Sequence, residues 1–161
     1  MTAGASSDTF NEAHLRAAFE VARRARAHGN HPFGAILVDG GQVLLAAENT
    51  VVTGRDPTGH AELNLVREAG KVVPWQRMAG MTLYTSAEPC PMCAGAMVWG
   101  NVRRVVFGVG MAALYEAIAA PPDAPALRMN ARRVFEAAPW QVEVVGPKLV
   151  QEALGVHEGF W

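Results

Sequence analysis

Tyr84-Thr85-Ser86-Ala87-Glu88-Pro89-Cys90-Pro91-Met92-Cys93-Ala94-Gly95-Ala96-Met97-Val98-Trp99 is the stretch from which the rest of the chain can be read. A strand-like run, Met81 to Ser86, leads in, and a helix-like run, Pro91 to Trp99, leads out. Pro91 suits a first helical position, where its missing N–H costs nothing. The only two cysteines of the chain, Cys90 and Cys93, stand at the junction as Pro-Cys-x-x-Cys. Residues i and i+3 share a helix face, so both sulfurs can reach one point. That point lies at a helix N-terminus, where the dipole favours thiolates. Two thiolates aimed at one point predict a metal, and zinc first. By itself the motif is equally compatible with a redox pair or two buried apolar cysteines.

Upstream, His60-Ala61-Glu62 opens a second helical stretch, delivered by the turn Asp56-Pro57-Thr58-Gly59. One imidazole and two thiolates give zinc three protein ligands and leave one position open. That is the catalytic pattern, whereas structural sites are closed by four ligands. The sequence offers no fourth sulfur and no clearly matched second histidine for a closed site. Glu62 is close enough to reach a zinc-bound water without ligating the metal. Zinc lowers the pKa of such a water to about 7. Glu62 would take its proton as a base and deliver it as an acid, each transfer resetting the carboxylate. His-x-Glu followed by Pro-Cys-x-x-Cys is the signature of zinc deaminases.

Outward from these motifs the elements follow. Thr9-Phe10-Asn11-Glu12 has capping-box spacing, and Leu15, Ala18, Phe19 and Ala22 recur at helical spacing, predicting a helix over about 9–28. Phe33 to Asp39 and Gln42 to Glu48 read as two strands joined by the hairpin signal Gly40-Gly41. The first is nearly all apolar, as a doubly covered central strand should be. Asn49 ends the second strand, and its carboxamide offers a donor and an acceptor suited to the edge of a base. Phe33 fits a core position or a stacking platform equally well. A helix follows from His60 to Gly70, then a loop over 71–80, the third strand, the cysteine helix and a fourth strand from Val102 to Val109. The strand-helix-strand units imply right-handed crossovers and parallel strands. The expected fold is α/β, three layers with helices on both faces of a mixed sheet. Beyond it, helices over 111–120, 127–137 and 147–156 and a strand over 141–145 are expected. Phe160 and Trp161, at the terminus, should pack on the body, on a partner subunit or over the site.

The 161 residues suit one domain, residues 1–161, with half of them hydrophobic, 18% charged and a net charge of −1. No apolar run is long enough to span a membrane. Met1 to Asp8 lacks the basic and apolar regions of a signal peptide, and two metal-committed cysteines fit a reducing compartment, so a cytoplasmic protein is expected. No clustered basic face advertises nucleic acid.

The same motifs carry a family resemblance from about Phe10 to Val109. The chain resembles the cytidine-deaminase-like superfamily of zinc hydrolases, and most of all the branch holding bacterial guanine deaminases and tRNA adenosine deaminases. His31-Pro32-Phe33-Gly34, Leu83-Tyr84-Thr85-Ser86, Pro89-Cys90-Pro91-Met92-Cys93 and Trp99 are similar to the guanine enzymes. Ala94-Gly95-Ala96-Met97 and Arg103 to Gly108 are similar to the tRNA enzymes. The resemblance implies the cytidine-deaminase-like fold, zinc on His60, Cys90 and Cys93, and Glu62 as proton shuttle. It implies a base held by Asn49 and by the N–H of Ala61, between Phe33 and Trp99. It also implies a homodimer, in guanine deaminases domain-swapped, with the tail (about 147–161) capping the site, which brings in Trp161 and Glu158. The acidic pair expected soon after the fourth strand is absent, leaving Glu116, Glu143 and Glu158 as stand-ins. The expected activity is hydrolytic deamination of a free nucleobase, guanine first. Cytosine, isoguanine, s-triazine bases or a nucleoside are the alternatives. A tRNA adenosine deaminase is a further alternative, against which stand the near-zero charge and the apolar, acidic tail Leu154 to Trp161. A non-catalytic zinc module is the third class, against which stands Glu62.

Overall fold

A computed structural model describes residues 10–161. Helix α1 (Glu12–Ala27) is capped by Asn11, whose Oδ1 accepts from the Ala13 N–H. Thr9, the first residue of the expected capping box, lies outside the described residues. Strands β1 (Gly34–Asp39) and β2 (Gln42–Glu48) form the expected hairpin across Gly40 and Gly41. Both glycines have positive φ, 54° and 82°, as a tight right-twisted hairpin turn requires. Then follow α2 (Ala61–Val72), α3 (Trp75–Met78), β3 (Thr82–Ala87), α4 (Pro91–Trp99) and β4 (Arg104–Val109). The chain closes with α5 (Met111–Ala117), α6 (Ala131–Phe135), β5 (Glu143–Val145) and α7 (Val150–Gly155).

The sheet order is β2-β1-β3-β4-β5. β1 is antiparallel to both β2 and β3, while β3–β4 and β4–β5 are parallel. Alternation along β1 sorts the core into two layers. Ala35 and Leu37 pack with Leu65, Met97 and Phe135 of α2, α4 and α6. Ile36 and Val38 pack with Leu15 and Phe19 of α1, Leu114 of α5 and Ala153 of α7. The three-layer architecture with a mixed sheet is therefore the one expected. Since β2 and β3 are each antiparallel to β1, they run the same way, and the helices that follow them, α2 and α4, begin at the same end of the sheet. No helix among the described residues is long and apolar enough to cross a membrane.

Several boundaries differ from expectation for identifiable reasons. Gly70 does not end α2, which continues to Val72 and stops at the extended Val73. An exposed helical glycine costs only about 1 kcal/mol, whereas a following proline such as Pro74 disfavours helical backbone at Val73. The loop expected over 71–80 contains α3. The helix expected over 127–137 shrinks to α6 because Asn130 is its cap, with Oδ1 accepting from the Arg133 N–H. Pro147 does not start α7; Leu149 caps it from the left-handed region.

Where α1 crosses β1 there is no room for a side chain at Gly34. A Cβ there would run into the Ala22 nitrogen and lie 2.7 Å from the Ala18 oxygen, both helix backbone. Gly34→Ala is expected to destabilise the fold by about 3 kcal/mol or more, because neither atom can move without shifting α1. Chemical denaturation of the variant checks this.

Candidate active site

The common end of the sheet is where the chemistry collects. His60 caps α2 from an extended backbone (φ −71°, ψ 148°), and Cys90 caps α4 in the same way (φ −68°, ψ 166°). Neither side chain is used to cap its own helix, so both are available to something else. Cys93 is the third residue of α4 and is buried. His60 Nδ1 is 3.5 Å from Cys90 Sγ and 3.6 Å from Cys93 Sγ. The three ligand atoms lie within 4.8 Å of one another. Zinc bonds of about 2.3 Å to sulfur and about 2.0–2.1 Å to nitrogen, at a tetrahedral angle, separate S and N by about 3.6 Å. The side chains thus stand where a tetrahedral zinc requires them.

The three groups titrate against one another. Hydrogen bonding from the Cys93 thiol, and then from His60, brings the Cys90 thiol down to about 4. The same bond to Cys90, together with burial, pushes the Cys93 thiol up. The Cys90 sulfur in turn raises His60. A thiolate held between two donors is a site that suits a divalent cation. Glu62, on the first turn of α2, is 5% exposed, and burial pushes its carboxyl up. Thr85 Oγ1, from β3, donates to Glu62 Oε1 at 3.0 Å. That fixes the orientation of the carboxylate beside the three ligand atoms.

Around this centre the other expected residues divide. Asn49 is 2% exposed; its N–H donates to the Phe33 carbonyl, and its Oδ1 accepts from the Val51 N–H. Its amide nitrogen is therefore the group left for a ligand. Ala61 is the first residue of α2, with a fully buried side chain. Its N–H is among those a helix cannot satisfy internally. Phe33 is half-buried, with its ring 5.2 Å from that of His157 and 6.4 Å from that of Trp161. The Trp161 indole donates to His157 Nδ1 at 3.1 Å, and its ring is 5.4 Å from that of His31. The terminus thus packs on the body beside Phe33. Arg26 holds it there, donating to the carbonyls of Val156 and Glu158.

Trp99 is not brought to the site in this chain. It stands at the end of α4 opposite the cysteines, about 13 Å along the axis from Cys90 and about 9 Å from Cys93 at 1.5 Å per residue, and is 86% exposed. The three stand-in carboxylates differ in their surroundings. Glu116 and Glu158 are exposed, and Glu143 pairs with Arg104 at 3.0 Å on β5.

Thr85, Tyr115 and Glu88 join this end of the sheet without a sequence motif of their own to mark their roles. Tyr115, on α5, is half-buried; burial first, and then the Cys90 charge, raises its phenol. Glu88 is 8% exposed, and each of its carboxylate oxygens takes a first-turn N–H of a different helix. Oε2 accepts from Met111 of α5 at 3.1 Å, and Oε1 from Ala131 of α6 at 3.0 Å. One carboxylate two residues before Cys90 thereby ties two later helices to the cysteine loop. Glu88→Gln, which turns one acceptor into a donor facing an N–H, should cost about 1–3 kcal/mol. Thermal unfolding of the variant measures it.

Residues 8–109 match the family model described as the cytidine and deoxycytidylate deaminase zinc-binding region. The probable cytosine deaminase of Schizosaccharomyces pombe is 42% identical over 151 residues, spanning 92% of this chain and 91% of that protein. The tRNA-specific adenosine deaminase of Bacillus subtilis is 41% identical over 100 residues, 62% of each chain. Among solved structures, guanine deaminase from Nitrosomonas europaea superposes with a TM-score of 0.76 at 28% identity, covering 91% of this chain and 82% of that one.

Proposed function

Because the chain belongs to the cytidine and deoxycytidylate deaminase family, a family of zinc-dependent deaminases, we propose that it hydrolytically deaminates a free nucleobase, cytosine first and guanine second. The observation that carries this reading is the convergence of His60, Cys90 and Cys93 to tetrahedral zinc spacing, with the buried Glu62 on the same helix start. His60, Cys90 and Cys93 would hold the ion. When bound, zinc supplies a Lewis acid that acidifies a coordinated water and leaves one position open to it.

The chain's own residues do the rest. Glu62 accepts a proton from the attacking water. It delivers that proton to the ring nitrogen beside the amino-bearing carbon, then takes the remaining hydroxyl proton of the added water and passes it to the amine, so that ammonia leaves and a carbonyl remains. The raised proton affinity that burial confers on Glu62 suits a group that must hold a proton between two transfers. The Asn49 amide nitrogen would donate to an acceptor on the base, a carbonyl oxygen or ring nitrogen. Phe33 and Trp161 would cover its faces, with the tail as cap.

Cytosine comes first because similarity to the S. pombe protein spans 92% of the chain. The backbone likeness to the N. europaea enzyme supports guanine as the second reading. Ammonia release from cytosine, guanine, isoguanine, ammeline, cytidine and a tRNA anticodon stem-loop tests the proposal, with wild-type protein and Glu62→Ala side by side. Turnover of a free base that disappears in the variant is the expected result. Turnover of the stem-loop alone, with affinity falling steeply as salt rises, would overturn it in favour of RNA.

A further inference from the structure

We propose that Asn64 is a positioning residue: its carboxamide locks Asn49 onto the helix that carries His60 and Glu62, and so sets affinity for the base. The proposal rests on the base-reading role given to Asn49 above and extends it to a residue outside the pocket.

Asn64 lies one turn after His60 on α2, and its N–H donates to the His60 carbonyl at 2.9 Å. Asparagine is a poor interior helix residue because its side chain competes for backbone groups. Here that side chain leaves its own helix. Nδ2 donates to the Glu48 carbonyl at 3.0 Å and to Thr50 Oγ1 at 2.9 Å, with the Gly59 carbonyl at 3.4 Å. Glu48 and Thr50 are the two neighbours of Asn49 in the chain. Thr50 N–H also donates to the Gly59 carbonyl at 2.8 Å, which closes the loop immediately before His60. Gly59 permits this approach, since a Cβ there would lie 2.8 Å from Thr50 Oγ1.

The side-chain bond of Asn49 itself goes to Val51, within the same loop, and so does not tie it to α2. The hydrogen-bonded connection between the base-reading amide and the metal-ligand helix is therefore the Asn64 carboxamide together with the Thr50–Gly59 closure, alongside the apolar packing of Leu45 and Ala47 of β2 on α2. Asn64 makes no side-chain hydrogen bond to His60, Cys90, Cys93 or Glu62 among the described residues. It should accordingly act on binding and leave the reacting groups alone.

The test is a double-mutant cycle on the zinc-loaded enzyme: Asn64→Leu, Asn49→Ala and both together. Thr50→Val removes only part of the bridge and serves if leucine at 64 does not fold. With the base turned over fastest, Asn64→Leu should raise KM about ten-fold, with kcat changed about three-fold at most and full zinc content. In the Asn49→Ala background the same substitution should add nothing. Additive losses, loss of zinc, or a fall in kcat at constant KM would overturn the proposal. Calorimetric binding of cytosine and guanine to zinc-loaded Glu62→Gln, with and without Asn64→Leu, reads the same coupling without turnover. Binding indifferent to Asn64→Leu would overturn this proposal alone. No binding of either base would overturn the functional reading and this proposal with it.

Discussion

Glu62→Gln should keep its zinc and lose turnover by about 10⁴-fold or more. A positioned acid or base contributes about 10²–10⁴ in rate. Glu62 is asked to serve two transfers in one cycle, so the loss belongs at the upper end or beyond it, about 5.5 kcal/mol of barrier. Glutamine has the shape of the protonated acid and can still accept from Thr85 Oγ1 through its carbonyl. Because burial disfavours the charged form of Glu62, removing the titratable group should not weaken the fold. The variant should unfold at or above the wild-type temperature. The measurement pairs metal analysis with ammonia release and calorimetry on one preparation. Turnover within ten-fold of wild type would remove Glu62 from the chemistry. Loss of zinc would show instead that the carboxylate supports the ligands.

The clustering of His60, Cys90 and Cys93, with Glu62 on the same helix start, was legible in the sequence because each half of the cluster is local. A three-residue spacing at a helix start places Cys90 and Cys93 on one face, and a two-residue spacing places Glu62 beside His60. The sequence could also suggest that the halves meet, since the hairpin and the strand-helix-strand units put α2 and α4 at one end of a mixed sheet. What could not be read is long-range. Glu88 looks like a residue of the cysteine loop, yet its partners, Met111 and Ala131, are distant in the chain. Asn64 looks like a weak helix residue until the 49–59 loop folds against it. Trp99 follows the helical period of α4 correctly, but a helix also carries its last residue away from its first. The terminal aromatics, expected on the body, a partner or the site, proved to need Arg26 and His157 as anchors, and neither is visible as such in sequence. Asn130 shows the same limit on a smaller scale: its type is ambiguous between diluting a helix and capping one, and only the backbone around it decides.

Cys90→Ala is expected to abolish zinc binding and, with it, much of the stability of this end of the sheet. The thiol is the one whose proton leaves most readily, and it faces both His60 and Cys93. With two ligands left, the open-position geometry is lost as well. Bound zinc contributes about 10–16 kcal/mol in small metal-stabilised folds, against a total domain stability of about 5–15 kcal/mol. Even a fraction of that, in a fold with its own core, outweighs the loss of one half-buried sulfhydryl. The variant should therefore retain less than about a tenth of the wild-type zinc, show no turnover and melt more than about 10 °C lower. A chelator such as 1,10-phenanthroline separates metal loss from packing loss. It should bring the wild-type melting temperature down towards that of Cys90→Ala and leave the variant unmoved. Full zinc content in Cys90→Ala would refute the ligand assignment. A chelator effect of equal size on both proteins would place the stabilising metal elsewhere.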